Sequence, residues 1–262
     1  MNNKRLQISE GGRIAYYDTQ ADASFWDNYW EKLITRDYYR RYEEGDLGEY
    51  LFFEKYLHKE DNILEAGCGT AQYVVALLFK GYKNIEGIDW GGQTIKRVKA
   101  IYHDLPIKVG DVTKIEANNN YFDGYISLGV VEHRKEGPEP YLAEAFRVIK
   151  PGGYAFISVP YMNRLRRIKS RLGFYSKFKQ TNMVFYQYAF SKYEFQNFLE
   201  QAGFEIIETH GIAGLFGLRE ELPVLFFILD RMPGGWRIQE YIKRLNWIKN
   251  FGHMVLFICK KR

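Results

Sequence analysis

The chain has 262 residues, with 37 basic against 32 acidic side chains and a formal charge of +5. That length holds one sizeable α/β domain with additions, and two cysteines far apart in sequence, Cys68 and Cys259, argue against a disulfide scaffold and for a reducing compartment. The longest apolar run, Leu222 to Leu229, is too short to span a bilayer, and the polar start from Met1 to Asp18 lacks an apolar signal core, so a cytoplasmic location is expected. In chain order, residues 1–20 read as a polar lead. Residues 22–57 are dense in aromatic and charged side chains and read as one or two amphipathic helices broken near Gly45 and Gly48. Trp26 and Trp30 fall one helical turn apart on one face of the first.

Residues 63–73 are the most informative stretch: Ile-Leu-Glu-Ala-Gly-Cys-Gly-Thr-Ala-Gln-Tyr. An apolar strand runs into Glu65, then Gly67 and Gly69, then a helical stretch. Glycines there let the backbone turn sharply and approach a ligand without a Cβ. Glu65 falls at the strand's carboxyl end, where open α/β sheets bind ligands. A carboxylate at that place suits an amino group or a positive charge better than a pyrophosphate. The next strand, Asn84 to Ile88, ends in Asp89, placed to accept hydrogen bonds from ribose hydroxyls. A dinucleotide-binding dehydrogenase shares that device, but its G-x-G-x-x-G pattern wants a third glycine where Gln72 stands.

The E-x-G-x-G of Glu65, Gly67 and Gly69 resembles motif I of the class I S-adenosylmethionine (SAM) methyltransferases. Three further stations agree in order. A third strand, Leu105 to Gly110, precedes Asp111 and Val112. A fourth, Tyr121 to Leu128, precedes Gly129-Val130-Val131-Glu132-His133. A Lys150-Pro151-Gly152-Gly153 turn then leads into a fifth strand, Tyr154 to Val159. The resemblance implies a Rossmann-like, mostly parallel seven-stranded sheet in order 3-2-1-4-5-7-6, with helices on both faces. Residues 1–58 would form a helical cap over the cofactor cleft. Residues 59–262 would form the methyltransferase domain, with insertions at 160–190 and 210–250. It also implies SAM as cofactor and S-adenosylhomocysteine as product. Glu65, Gly67, Cys68, Gly69, Asp89, Trp90, Asp111, Val112 and Leu128 would bind it. Asp111 would take the adenine amino group and the Val112 amide the ring, with Trp90 stacking on adenine and Cys68 packing rather than reacting. Ala71 replaces the family's third glycine. Tyr29, Trp30 or Tyr38 would close the site, with Arg40 or Arg41 reaching the methionine carboxylate; Tyr29, Trp30, Tyr161 and Tyr186 are the acceptor-side candidates.

For a hydroxyl acceptor a base is useful, and His133 at the cleft mouth is the candidate. Some relatives hold a divalent metal through E-x-x-E-H here; Gly129 replaces the first acid, so no metal is expected. From Ala145 through Tyr193 there is no acid and ten residues are basic. Within that window Leu165, Ile168, Leu172 and Tyr175 form a helical stripe flanked by Arg164, Arg166, Arg167, Lys169 and Arg171. Such a helix reads as a lid over an anion, as a contact for an anionic membrane surface, or as a basic helix packed on its own domain. Ser191 with Glu194 forms a capping box opening the helix before the sixth strand, Glu205 to Thr209. Two helices, Leu222 to Met232 and Trp236 to Lys249, are expected before the last strand, His253 to Cys259.

The reading is a SAM-dependent methyltransferase for a small-molecule, lipid- or glycan-linked acceptor, at oxygen or nitrogen. The alternative of another class is a non-catalytic SAM-binding protein. Nucleic acid is disfavoured, because Leu128-Gly129-Val130-Val131 stands where base methyltransferases carry an Asp/Asn-Pro-Pro-aromatic turn. Oligomeric state is not legible.

Overall fold

Apolar runs that are buried on both faces build the central sheet. The computed structural model describes residues 6–18, 22–176 and 183–262. The chain opens with a hairpin, β1 (Leu6–Glu10) and β2 (Arg13–Asp18). Helices α1 (Ala23–Glu31), α2 (Arg36–Glu43) and α3 (Phe53–Tyr56) follow. Alternation then sets in: β3 (Asn62–Ala66), α4 (Gln72–Phe79), β4 (Asn84–Asp89), α5 (Gly92–Ile101), β5 (Ile107–Val109) and β6 (Phe122–Leu128). It continues through α6 (Glu139–Val148), β7 (Ile149–Pro160), α7 (Arg164–Arg171), β8 (Val184–Ala189), α8 (Lys192–Gln201) and β9 (Phe204–Ile212). Helices α9 (Gly214–Glu221), α10 (Pro223–Arg231) and α11 (Gly235–Arg244) precede the last strand, β10 (Met254–Lys261).

The seven-stranded sheet runs β5-β4-β3-β6-β7-β10-β9, which is the expected order 3-2-1-4-5-7-6. Only β10 is antiparallel to its neighbours. Side chains alternate along it as a strand requires. Val255, Phe257 and Cys259 enter the core under α6 and α8, while Leu256 and Ile258 enter the core under α2 to α5.

Two expectations are revised. The polar lead is, over its described residues, the β1–β2 hairpin, and β2 pairs antiparallel with β8 in a separate three-stranded sheet. Gly11 and Gly12, both at positive φ, make its turn, and a Gly-Gly pair between alternating strands is a hairpin signal present in the sequence. The aliphatic stripe of α7 does not face inward throughout. Leu165 and Tyr175 pack inside, but Ile168 and Leu172 are exposed and Arg166 is the buried residue of the helix. The reason is counter-charge: α9 supplies Glu220 and Glu221 to Arg166, and Glu221 also takes Lys169. Lys177 and Lys179 of the basic window lie outside the described residues.

Candidate active site

The turn after β3 is forced by its residues. Gly67 and Gly69 have φ of 79° and 49°, in the left-handed region that favours glycine. A Cβ on Gly67 would lie 2.5 Å from a Val130 methyl, and one on Gly69 would lie 3.2 Å from the Trp30 ring. Ala71 is also left-handed, at φ 55°, and offers no side-chain cap to α4. Glu65 provides the cap instead: buried beneath the turn, its carboxylate accepts from the Val74 amide at 3.1 Å. Burial pushes its pKa up to about 8, the Asp89 charge adding to the rise.

Asp89, at the end of β4, accepts from the Gly69 amide at 2.9 Å and the Gly91 amide at 2.8 Å. A carboxylate has about four acceptor positions, so these two bonds leave it capacity for a ligand. Asp111 is held by the amide and hydroxyl of Thr113, each at 2.7 Å. A crevice of about 280 Å³ runs past both acids, and Trp30, Gly67, Gly69, Trp90, Val112, Leu128 and His133 line it as well. Glu65 and Cys68 lie below it. Burial raises the Cys68 thiol well above its ordinary pKa, with Glu65 and Asp89 adding to the effect, so it is inert packing.

Also on the crevice wall, β6 gives way to Gly129, at φ 73°, and a single turn, Val131–His133. His133 Nδ1 lies 2.8 Å from the Tyr186 carbonyl. A carbonyl only accepts, so the proton sits on Nδ1 and Nε2 is the basic nitrogen. The imidazole also packs edge-on to Trp26 and Tyr186, each with centroids 5.0 Å away. Tyr186 is therefore placed to position the histidine rather than to line the crevice.

Beside it Glu132 is buried, with Oε1 3.8 Å from His133 Nε2 and Oε2 lacking any hydrogen-bond partner. Burial pushes this carboxyl up to about 8 from an ordinary 4.5. The folded state therefore holds the proton more tightly than the unfolded chain. Its stabilisation is full below about 4.5 and is lost as pH rises through about 8. Glu132→Gln is expected to flatten the fall in stability across that window, by up to about 1.4 kcal/mol per pH unit. Denaturant melts at several pH values measure it, and an unchanged slope contradicts a neutral Glu132.

The cap is fastened by contacts that no local motif announces. Asp27 of α1 accepts from the Thr94 amide at 2.7 Å and from its hydroxyl at 2.8 Å, capping α5, whose own Gly91 cannot. Arg97 on α5 donates to Glu31 of α1 at 2.8 Å. Trp26 stacks on Trp30, with centroids 5.9 Å apart. From α2, the Tyr39 hydroxyl reaches the Thr70 carbonyl at 2.6 Å, and the Tyr38 hydroxyl reaches Thr70 Oγ1 at 3.1 Å. Tyr38 thus buttresses the glycine turn. Arg40 pairs with Asp37 and Arg41 donates to Tyr42, so neither turns to the crevice. Tyr29 is half-exposed and stacks on Phe25, and Tyr161 lies beyond the end of β7, its amide donating to the His253 carbonyl just before β10. Among the sequence-selected acceptor candidates, Trp30 alone lines the crevice, whereas Tyr141 and Arg134 line it without having been singled out.

Residues 64–157 match the family model described as Methyltransferase domain. That stretch is a class I SAM-dependent methyltransferase domain. The chain is an enzyme, and SAM is its cofactor. A probable SAM-dependent methyltransferase of Mycolicibacterium smegmatis is 27% identical over 83% of this chain and 72% of its own. An EEF1A lysine methyltransferase 2 of Danio rerio is 25% identical over 50% of this chain and 66% of its own. A SAM-dependent methyltransferase structure from Methanosarcina mazei aligns with a TM-score of 0.56 at 18% identity, over 81% of this chain and 97% of its own. That last likeness shows the methyltransferase fold alone.

Proposed function

We propose that this methyltransferase acts on oxygen or nitrogen of a small-molecule, lipid-linked or glycan-linked acceptor, with His133 as general base. One observation carries the reading: His133 lines the crevice with its Nδ1 proton engaged by a backbone carbonyl, so Nε2 is the basic nitrogen. SAM supplies an electrophilic methyl group on a sulfonium. The chain's own task is to align the acceptor for in-line displacement, exclude water and take the acceptor's proton. Asp89 is assigned the ribose hydroxyls, Asp111 the adenine amino group, and Val112 and Trp90 the ring. The faces of Trp26 and Trp30 favour a sulfonium nearby.

Asp89→Ala is expected to weaken SAM binding from about micromolar by roughly 1.5–3 kcal/mol, the worth of hydrogen bonds to a charged group. Calorimetry measures it, and unchanged affinity would falsify the ribose assignment. For the acceptor, labelled SAM is incubated with lipid, glycan and protein fractions, and S-adenosylhomocysteine is followed alongside the label. Label entering only protein favours the second reading, lysine methylation, which the Danio rerio relative motivates. SAM binding without turnover on any fraction would leave a binding protein.

A further inference from the structure

Helix α10 has the sequence Pro-Val-Leu-Phe-Phe-Ile-Leu-Asp-Arg. Phe226 and Leu229, one turn apart, fill a small core with Leu218 and Ile248. The rest of an ordinary surface helix would be polar. Here Val224 is 72% exposed, Leu225 47%, Phe227 55% and Ile228 54%. Helix α11 packs on α10 and adds Trp236 and Tyr241, 65% and 66% exposed. Apolar side chains grouped in this way mark an interaction surface rather than scattered exposure.

Charge identifies the occupant. Residues 222–249 hold five cations, Arg231, Arg237, Lys243, Arg244 and Lys249, against two acids, Asp230 and Glu240. Asp230 is already taken by Arg219, in a two-pronged pair at 2.9 Å. Arg231 lies over the Phe227 ring and Arg237 over Trp236, so cations flank the apolar side chains. A twofold contact with a second copy would set these cations against their own counterparts. A bilayer bearing anionic headgroups meets both features at once, with aliphatic side chains entering the acyl boundary and Trp, Tyr, Lys and Arg at headgroup level. Among the described residues no helix is long and apolar enough to cross a membrane, so the contact is interfacial.

The register fixes where this face sits. Ile212, at the end of β9, pairs with Met254, which pairs with Pro160 at the end of β7. The α9–α11 insert therefore emerges from the carboxyl edge of the parallel strands, the edge that carries the crevice. Met254 reaches within 3.6 Å of where a Cβ on Gly129 would lie. The α7 helix is a weaker candidate for the same role, because Arg166 and Lys169 are spent on Glu220 and Glu221.

We propose that the outer face of α10 and α11 docks the enzyme reversibly on an anionic lipid surface. The inference is independent of the acceptor's identity and of His133. The test is co-sedimentation at low salt with phosphatidylcholine vesicles, with and without phosphatidylglycerol. The expected result is pelleting only with phosphatidylglycerol. Arg237→Gln, Lys243→Gln and Arg244→Gln together should lower the partition about a hundredfold, at about fivefold per cation. Phe227→Ser with Trp236→Ser should abolish it. All five positions are exposed, and unchanged SAM affinity by calorimetry shows that the variants fold. Protein that stays in the supernatant, or variants that pellet like the parent, overturn the proposal. So does a dimer at sedimentation equilibrium that Phe227→Ser and Trp236→Ser dissociate. SAM turnover in vesicle-free solution is scored separately, so loss of docking and loss of the methyltransferase reading remain distinct.

Discussion

Arg166→Leu is expected to destabilise the protein by about 3–5 kcal/mol, because it takes one of two cations from a buried carboxylate rather than merely deleting a contact. Arg166 is 1% exposed, and its guanidinium is met on three sides. Nε donates to Glu221 at 2.9 Å, Nη2 to Glu220 at 2.7 Å and Nη1 to the Tyr161 carbonyl at 2.7 Å. Glu221 is itself buried and keeps Lys169 at 2.6 Å and the Tyr175 hydroxyl at 2.9 Å. In the variant its carboxylate holds those two donors but loses the bond that balanced its desolvation. Denaturant melts supply the measurement. Arg166→Leu combined with Glu221→Leu should cost less than the sum of the two single changes, since the second change removes the buried carboxylate that the first leaves underpaired. A single variant within about 0.5 kcal/mol of the parent, the range of ordinary surface changes, would show that the cluster contributes no net stability.

His133→Ala should reduce turnover by about 10²–10⁴ while leaving SAM affinity nearly unchanged. The imidazole lines the crevice just past the end of β6, whereas Asp89 and Asp111 stand at the ends of β4 and β5, so binding and turnover are expected to separate. An asparagine in its place restores a polar group without a base of suitable pKa and should stay as slow as alanine. If the parent's turnover rises with pH through one ionisation and the alanine variant's does not, the proton acceptor is the histidine. Full activity in His133→Ala would mean that alignment alone carries the reaction, or that the acceptor arrives deprotonated.

Much of the sheet was readable because its signals are local. Four of the parallel strands end where the sequence places their marker residues: the glycines after β3, Asp89 closing β4, Asp111 after β5 and His133 after β6. What escaped reading depends on partners distant in sequence. Glu65 looks like a ligand-facing acid until Ala71 is seen to leave α4 without a cap. Arg166 looks like one more surface cation until α9 brings two glutamates against it. Asp27 looks like an ordinary helix charge until it is found closing the amino end of α5. The hairpin is a different case: Gly11-Gly12 between alternating strands was a legible signal, and only its pairing with β8 required the fold.

That pairing reaches further than the small sheet. The carbonyl that fixes the proton on His133 belongs to Tyr186, a residue of β8, and β8 is held in line by β2 through main-chain hydrogen bonds. The opening hairpin is thus a backbone splint for the histidine, without lending a side chain to the crevice. Evolutionary drift there should be judged by whether strand pairing survives, not by which side chains do. With His133 as the proposed base, the pairing of β2 with β8 bears on turnover although neither strand lines the crevice.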